Sequence, residues 1–206
     1  TNKRLFGWHA ALFPTGYSGL HKIRVGRWRG PEPMRVVSGP MGKETIHYEA
    51  MPYSRVDREM NLFFRWWRDS MGQVDGIIRA AIAHFWFVTI HPFEDGNGRI
   101  ARALTDMALA QDDRQRQRYY SLSSQINAER ESYYSILEQS QKGAGDITAW
   151  LLWFLGCYTR GIETAEKVMG VVLEKAAFWY RHAQTELSER QRKVVNKLLD
   201  AGKGEF

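Results

Sequence analysis

The sequence predicts a mainly α-helical fold carrying one β-hairpin, and three observations support it. From Ser54 onward, apolar residues recur at helical spacing between short polar linkers. One run, GIIRAAIAHFWFVTI at 76–90, is apolar on nearly every face and therefore belongs at the centre of a helical bundle. Convincing strand character occurs once, near residues 34–50, where MRVVS and ETIHYEA flank the turn-forming GPMGK.

The elements follow in order. LFGWHAALFP, 5–14, has helical character and stops before Pro14; residues 15–33 are rich in Gly, Arg and Pro and read as loop. After the hairpin, SRVDREMNLFFRWW opens a helix with Ser54 as N-cap and Asp57 three residues on, as in a capping box. The buried helix at 76–90 ends at HPFEDGN. Helical spacing resumes in GRIARALTDMALAQ, 98–111, with Ile100, Leu104, Met107 and Ala108 as its apolar stripe. The polar DDRQRQRYY then separates it from a helix at about 121–142. A long helical region at 146–183 and a capped segment, SERQRKVVNKLLD at 188–200, complete the chain. No internal repeat or low-complexity tract interrupts it.

Composition narrows the classes of function. A chain of 206 residues, 44% hydrophobic and 25% charged, can bury one proper core. Aromatic residues reach 13%, with eight tryptophans, which suits a core of large side chains and a partner surface; Trp66 and Trp67 are candidates for a homodimer face or for helix packing. The net charge of +6 favours phosphate-bearing or acidic partners. The positive residues are scattered through KIRVGRWRG, RQRQR and ERQRK rather than aligned in a stripe, so nucleic-acid binding is not compelled. The single cysteine, Cys157, excludes a disulfide framework and fits a reducing compartment. No signal peptide opens the chain, and AAIAHFWFVTI and AWLLWFLGCY are too short to span a bilayer. A soluble cytoplasmic protein is expected.

The densest chemistry lies in HPFEDGNGRIAR, 91–102. Gly96 and Gly98 permit backbone conformations that let successive N–H groups converge, and the following helix adds its free N–H groups and positive dipole end. Together they suit an anion. Arg99 and Arg102, one turn apart, can hold several phosphate oxygens. Asp95 beside an anion site calls for a cation between carboxylate and phosphate, a role Mg²⁺ fills. His91, at the end of the buried helix, has the side chain suited to a general base near neutral pH. Each part has a plainer reading: a helix-end histidine as a cap, Gly-Asn-Gly as a turn, Arg102 and Asp106 as an i,i+4 surface pair. A calcium loop fails, because Ile100 and Asp106 stand where glycine and glutamate are required. Neither a P-loop nor a GxGxxG fingerprint is present.

This window matches HPFx[D/E]GNGRxxR at every defined position, so the chain resembles the Fic family. The hairpin resembles the Fic flap, and the helices from about 54 to 160 resemble the Fic core. LFGWHAALFPTG and MRVVSGPMGKETIHYEAMP are similar to bacterial members with an N-terminal regulatory part and a C-terminal winged helix. The resemblance implies a Fic-type helical bundle with one β-hairpin flap (34–52) in a Fic domain of residues 1–185. Residues 186–206 would begin a winged-helix-like segment that stops before a recognition helix, so DNA binding is not supported.

The implied activity is transfer of AMP from ATP to a Tyr, Thr or Ser hydroxyl of a target protein. In that reading His91 is the base and Asp95 holds Mg²⁺. Asn97 and the amides of Gly96 and Gly98 cradle the α-phosphate, Arg99 and Arg102 bind the β- and γ-phosphates, and Phe93 anchors the loop. An exposed strand edge containing Thr45, Ile46, His47, Tyr48 and Glu49 would dock the target by main-chain pairing. Many Fic proteins also carry an inhibitory [S/T]xxxE[G/N] motif. Thr185 and Glu189 have its spacing, but Arg190 follows; in the similar proteins the inhibitory segment lies N-terminal, before the point where this chain begins, so Arg102 is expected to be unrestrained. Removal of AMP, or transfer of another nucleotide or of phosphate, is the alternative within the fold. An ATP-sensing transcriptional regulator is the alternative outside catalysis. The pocket for the base has no local signature.

Overall fold

The computed structural model describes residues 1–38, 45–113 and 118–200. The predicted GPMGK turn, the RQRQ of the polar linker and the last six residues lie outside the described residues. The architecture is a bundle of helices with two short antiparallel ladders on its N-terminal side. α1 (Asn2–Leu12) is followed by β1 (Tyr17–Ser18) and β2 (His21–Lys22), then by β3 (Arg35–Ser38) and β4 (Thr45–Glu49). α2 (Val56–Asp69), α3 (Gly76–Ile90) and α4 (Asn97–Asp113) form the centre with α5 (Leu122–Ala128) and α6 (Arg130–Lys142). α7 (Thr148–Arg181) packs on α3, α5 and α6, and α8 (Glu189–Asp200) on α7.

α3 is the axis, as its unbroken apolar sequence predicts. Asp75 caps it, accepting from the N–H groups of Ile77 and Ile78 at 3.0 and 3.1 Å, and α2, α4 and α7 cover it. Its buried polar residues are paired. Tyr133 donates to His84 Nε2 at 2.9 Å, and the other ring nitrogen of His84 lies 3.0 Å from Thr105 Oγ1, which donates to the Ala101 carbonyl at 2.9 Å. This chain ties α6 to α3 and α4 with no polar atom of the four groups left over. Burial pushes the His84 imidazole down to about 3, with Arg102 adding to the effect, so it is neutral. Trp150 Nε1 donates to the Ala81 carbonyl at 2.9 Å and pins α7 to the same axis. Cys157 lies buried on α7, two turns beyond, and burial pushes its thiol up to about 12.

Several boundaries differ from the sequence reading for local reasons. The loop predicted at 15–33 contains the β1–β2 ladder, joined by Gly19 and Leu20; Gly19 adopts φ +56°, which a two-residue hairpin turn requires. Strands of two residues carry no alternation to detect. Ser54 does not cap α2, because residues Tyr53–Arg55 already form a 3₁₀ turn and the helix proper starts at Val56. Asp57 instead accepts from Trp28 Nε1 at 2.9 Å. The helix predicted at 121–142 is two, since the chain leaves helical geometry at Glu129 (φ −104°, ψ 28°). The final segment starts as expected: Ser188 and Gln191 form a reciprocal cap.

Trp66 and Trp67 pack partly buried against the core, Trp66 beside Trp86 and Trp67 under the Arg79 guanidinium. The predicted hairpin is present, with Arg35 opposite Glu49, Val36 opposite Tyr48, Val37 opposite Ile46 and Ser38 opposite Thr45. His47 is the extra residue at a register shift. Among the described residues, no helix is long and apolar enough to cross a membrane.

Candidate active site

The motif lies where α3 ends and α4 begins. His91 closes α3 in the left-handed region (φ 51°, ψ 59°), the one non-glycine residue with positive φ among those described. Such a conformation persists only when neighbours over-determine it. Here Arg29 does so. Its guanidinium donates from Nε to the His91 carbonyl at 2.9 Å and from Nη2 to the Met51 carbonyl just after β4. Its main-chain N–H donates to the Pro92 carbonyl at 2.8 Å. Arg29 is fully buried, and among the described residues no carboxylate pairs with it.

The His91 ring is oriented by its own helix. Nδ1–H donates to the Val88 carbonyl at 3.1 Å, which leaves the lone pair on Nε2. Burial pushes the imidazole down to about 4, against the Val88 hydrogen bond and with the Arg29 charge. His91 is therefore a neutral acceptor at neutral pH.

The loop after His91 is held from both sides. Asn97 is buried and folds its amide back on Phe93, donating to the carbonyl at 2.8 Å and accepting from the N–H at 3.0 Å. Both polar ends of its side chain are thus engaged within the loop. Phe93 is fully buried and stacks on His9, with centroids 4.2 Å apart and planes 9° apart. His9 accepts from the Gly26 N–H at Nδ1 and donates from Nε2 to the Asp95 carbonyl, both at 3.1 Å. Gly96 adopts φ +81°, and a β-carbon there would meet the Phe13 ring at 2.9 Å. Beyond it, the first N–H groups of α4 have no partner within the helix.

Asp95 faces the β1–β2 hairpin, where Oδ2 accepts from Ser18 and Oδ1 lies 2.5 Å from the Gly96 nitrogen. Arg99 lies 3.5 Å from Asp95 and over the Phe13 ring at 4.6 Å. Arg102 points elsewhere. It lines a cavity of about 100 Å³ together with His91, Gly98, Tyr48, Tyr133 and Tyr134. Val36, Val88 and Leu137 give it an apolar wall, and Glu138 and Gln141 complete its lining. The fold therefore gathers His91, Gly98 and Arg102 with the hairpin, while Asp95 and Arg99 occupy the side of the loop nearer α1. Among the described residues Arg102 has no carboxylate partner; Asp106, its i,i+4 neighbour, pairs with Arg118. Tyr48 donates to the Thr89 carbonyl at 3.1 Å, fastening β4 beside the end of α3, and Glu49 pairs across the hairpin with Arg35.

Among the described residues, no group of three or more His, Cys, Asp or Glu is gathered to hold a metal. A lone, half-exposed carboxylate still fits Mg²⁺, which takes one or two protein carboxylates and completes its shell with phosphate oxygens and water.

Sequence reasoning did not single out His9, Ser18 or Arg29, which lie 62–86 residues from the groups they hold and carry no local signal. Tyr133, Leu137 and Gln141 had one: they fall four apart on a single face of α6.

The Fic/DOC family matches residues 1–109, just over half of the chain. The protein adenylyltransferase Fic of Nematostella vectensis is 28% identical over 144 residues, covering 69% of this chain and 30% of that protein. A probable protein adenylyltransferase of Aquifex aeolicus is 32% identical over 78 residues, or 38% of this chain and 22% of the relative. This chain thus spans less than a third of the length of these curated relatives. Among solved structures, a Fic family protein from Desulfovibrio desulfuricans G20 aligns with a TM-score of 0.64 at 23% identity, covering 82% of this chain and 47% of the other. Fic-1 of C. elegans (residues 134–508) aligns with a TM-score of 0.59 at 23% identity, covering 84% and 44%. At that identity the structural likeness establishes the fold.

Proposed function

The chain belongs to the Fic/DOC family, and from that premise we propose that it is a protein adenylyltransferase, moving AMP from ATP to a hydroxyl side chain of a target protein. The observation that carries this reading is the state of His91. A neutral imidazole with Nε2 unprotonated shares a cavity with Gly98, at the N-terminal turn of α4, and with Arg102.

In the proposed reaction the target hydroxyl gives its proton to His91 Nε2 as its oxygen bonds to the α-phosphorus. The bond from that phosphorus to the bridging oxygen of the β-phosphate breaks, and pyrophosphate leaves with the electron pair. The amides of Gly98 and its neighbours stabilise the charge on the α-phosphate, and Arg102 that on the leaving group. Asp95 would hold Mg²⁺, which when bound offsets phosphate charge. The apolar wall of Val36, Leu137 and the tyrosines suits a nucleobase. The target would extend along the hairpin edge by main-chain pairing. Names of relatives support this reading: the Nematostella vectensis relative is named a protein adenylyltransferase and the Aquifex aeolicus one a probable protein adenylyltransferase.

The test uses ATP labelled at the α- or the γ-phosphate, with Mg²⁺ and a cell lysate, and His91→Ala as control. Label on protein from the α position, absent from the γ arm and from the variant, is the expected result. Transfer of the γ label would replace the proposal with phosphate transfer. Absence of both labels, with ATP still bound, would replace it with nucleotide sensing.

A further inference from the structure

A second hollow, of about 440 Å³, opens on the far side of Arg102, between α4, α5 and α6. Arg102, Tyr133 and Tyr134 line both it and the His91 cavity, so the two spaces meet at that guanidinium. The His91 cavity, at about 100 Å³, is far smaller than the several hundred Å³ of a typical ligand pocket. A nucleoside triphosphate with its α-phosphate beside Gly98 must therefore extend elsewhere, and the second hollow is the adjoining space.

Its lining is polar and basic: Arg130, Ser123, Ser124 and Asn127 join Arg102. The Arg130 guanidinium sits over the Tyr134 ring, 5.7 Å from its centroid, and among the described residues neither it nor Arg102 has a carboxylate partner. Motif spacing pairs Arg99 with Arg102 as a phosphate clamp. In this structure Arg99 lies against Asp95 and Phe13 and lines neither space.

We propose that the hollow between α4, α5 and α6 is the site of the terminal phosphates of the nucleotide, and that Arg130, outside the motif, is the residue that shares them with Arg102. The inference rests on the nucleotide reading above and adds a subsite to it. Two guanidinium groups converging from α4 and α6 can each donate to phosphate oxygens, and hydroxyls of Ser123 and Ser124 supply further donors. Tyr134 holds the Arg130 guanidinium in place by its ring face.

The experiment is calorimetric titration of the full chain, in the His91→Ala background, with ATP, AMP and inorganic pyrophosphate. Arg130→Gln is expected to weaken ATP and pyrophosphate roughly tenfold or more, as loss of a charge-assisted contact does, and to leave AMP within about twofold. Arg102→Gln should do the same, and Arg99→Gln should cost less than either. Equal melting temperatures of the variants establish that the fold is intact. Weakening by Arg102→Gln with none by Arg130→Gln would overturn the subsite and leave the nucleotide reading standing. Absence of nucleotide binding to the parent protein would overturn both.

Discussion

At the scale of single residues, the site depends on how one histidine is held. Arg29 fixes the His91 carbonyl and the end of the hairpin strand at once. Arg29→Met should leave two carbonyls without their donor, costing about 1–3 kcal/mol each if they remain dry. Arg29→Lys can restore at most part of this, since an ammonium lacks the planar fork. Urea denaturation of the two variants, compared with their transfer rates, checks this; unchanged stability in the Met variant would count against it. The ring of His91 makes a separate prediction. With its pKa lowered to about 4, the imidazole proposed as the base is deprotonated over the whole neutral range. Activity should therefore rise with pH through about 4 and be flat from there to neutrality, whereas an unperturbed histidine would place the rise near 6.5. The grouping of these residues was legible in the sequence because the motif packs a histidine, glycines and arginines into twelve residues. The supports were not, because Arg29 and His9 reach the motif across 62 and 86 positions.

At the scale of elements, the turn between α3 and α4 and the hairpin set the shape of the cavity. Gly96→Ala would place a β-carbon against Phe13 and force φ +81° on an L-residue, a cost of about 1–3 kcal/mol. Its melting temperature should fall and nucleotide affinity with it; a variant that melts and binds like the parent would show that the turn can shift freely. Tyr48→Phe tests the hairpin. It removes one bond to the Thr89 carbonyl, so stability should change by about 1 kcal/mol or less. If that bond positions the strand, the KM for the target should rise more than kcat falls. Element types were readable from periodicity, most securely α3, whose composition admits no exposed face. Boundaries were less so. The division of α5 from α6 at Glu129 has no glycine or proline to mark it. There the side chain is held instead by Arg160 of α7, at 2.5 and 2.6 Å.

At the scale of the whole molecule, burial disfavours the charged form of three histidines. His84 and His91 are lowered to about 3 and about 4 by burial, and His9 is lowered for the same reason. Each titrates near 6.5 when unfolded, so below that pH the unfolded chain binds more protons, and stability is lost as pH falls toward the lowered folded values of His84 and His91. The urea midpoint should drop from pH 7 to pH 5; a midpoint that holds steady would mean these rings stay accessible. The long final helix pair was readable as helices but not as an arrangement. α7 belongs to the core through Trp150, Phe154 and Cys157, and its later turns meet α8 instead. That passage from core to periphery gives Cys157 a use. As the single thiol of the chain, sealed at this junction with a pKa near 12, it can meet an alkylating reagent when the helix lifts away. The labelling rate then clocks that breathing. Independence from low urea would mark a local opening, and a steep dependence would mean that α7 parts from the core when the entire molecule comes undone.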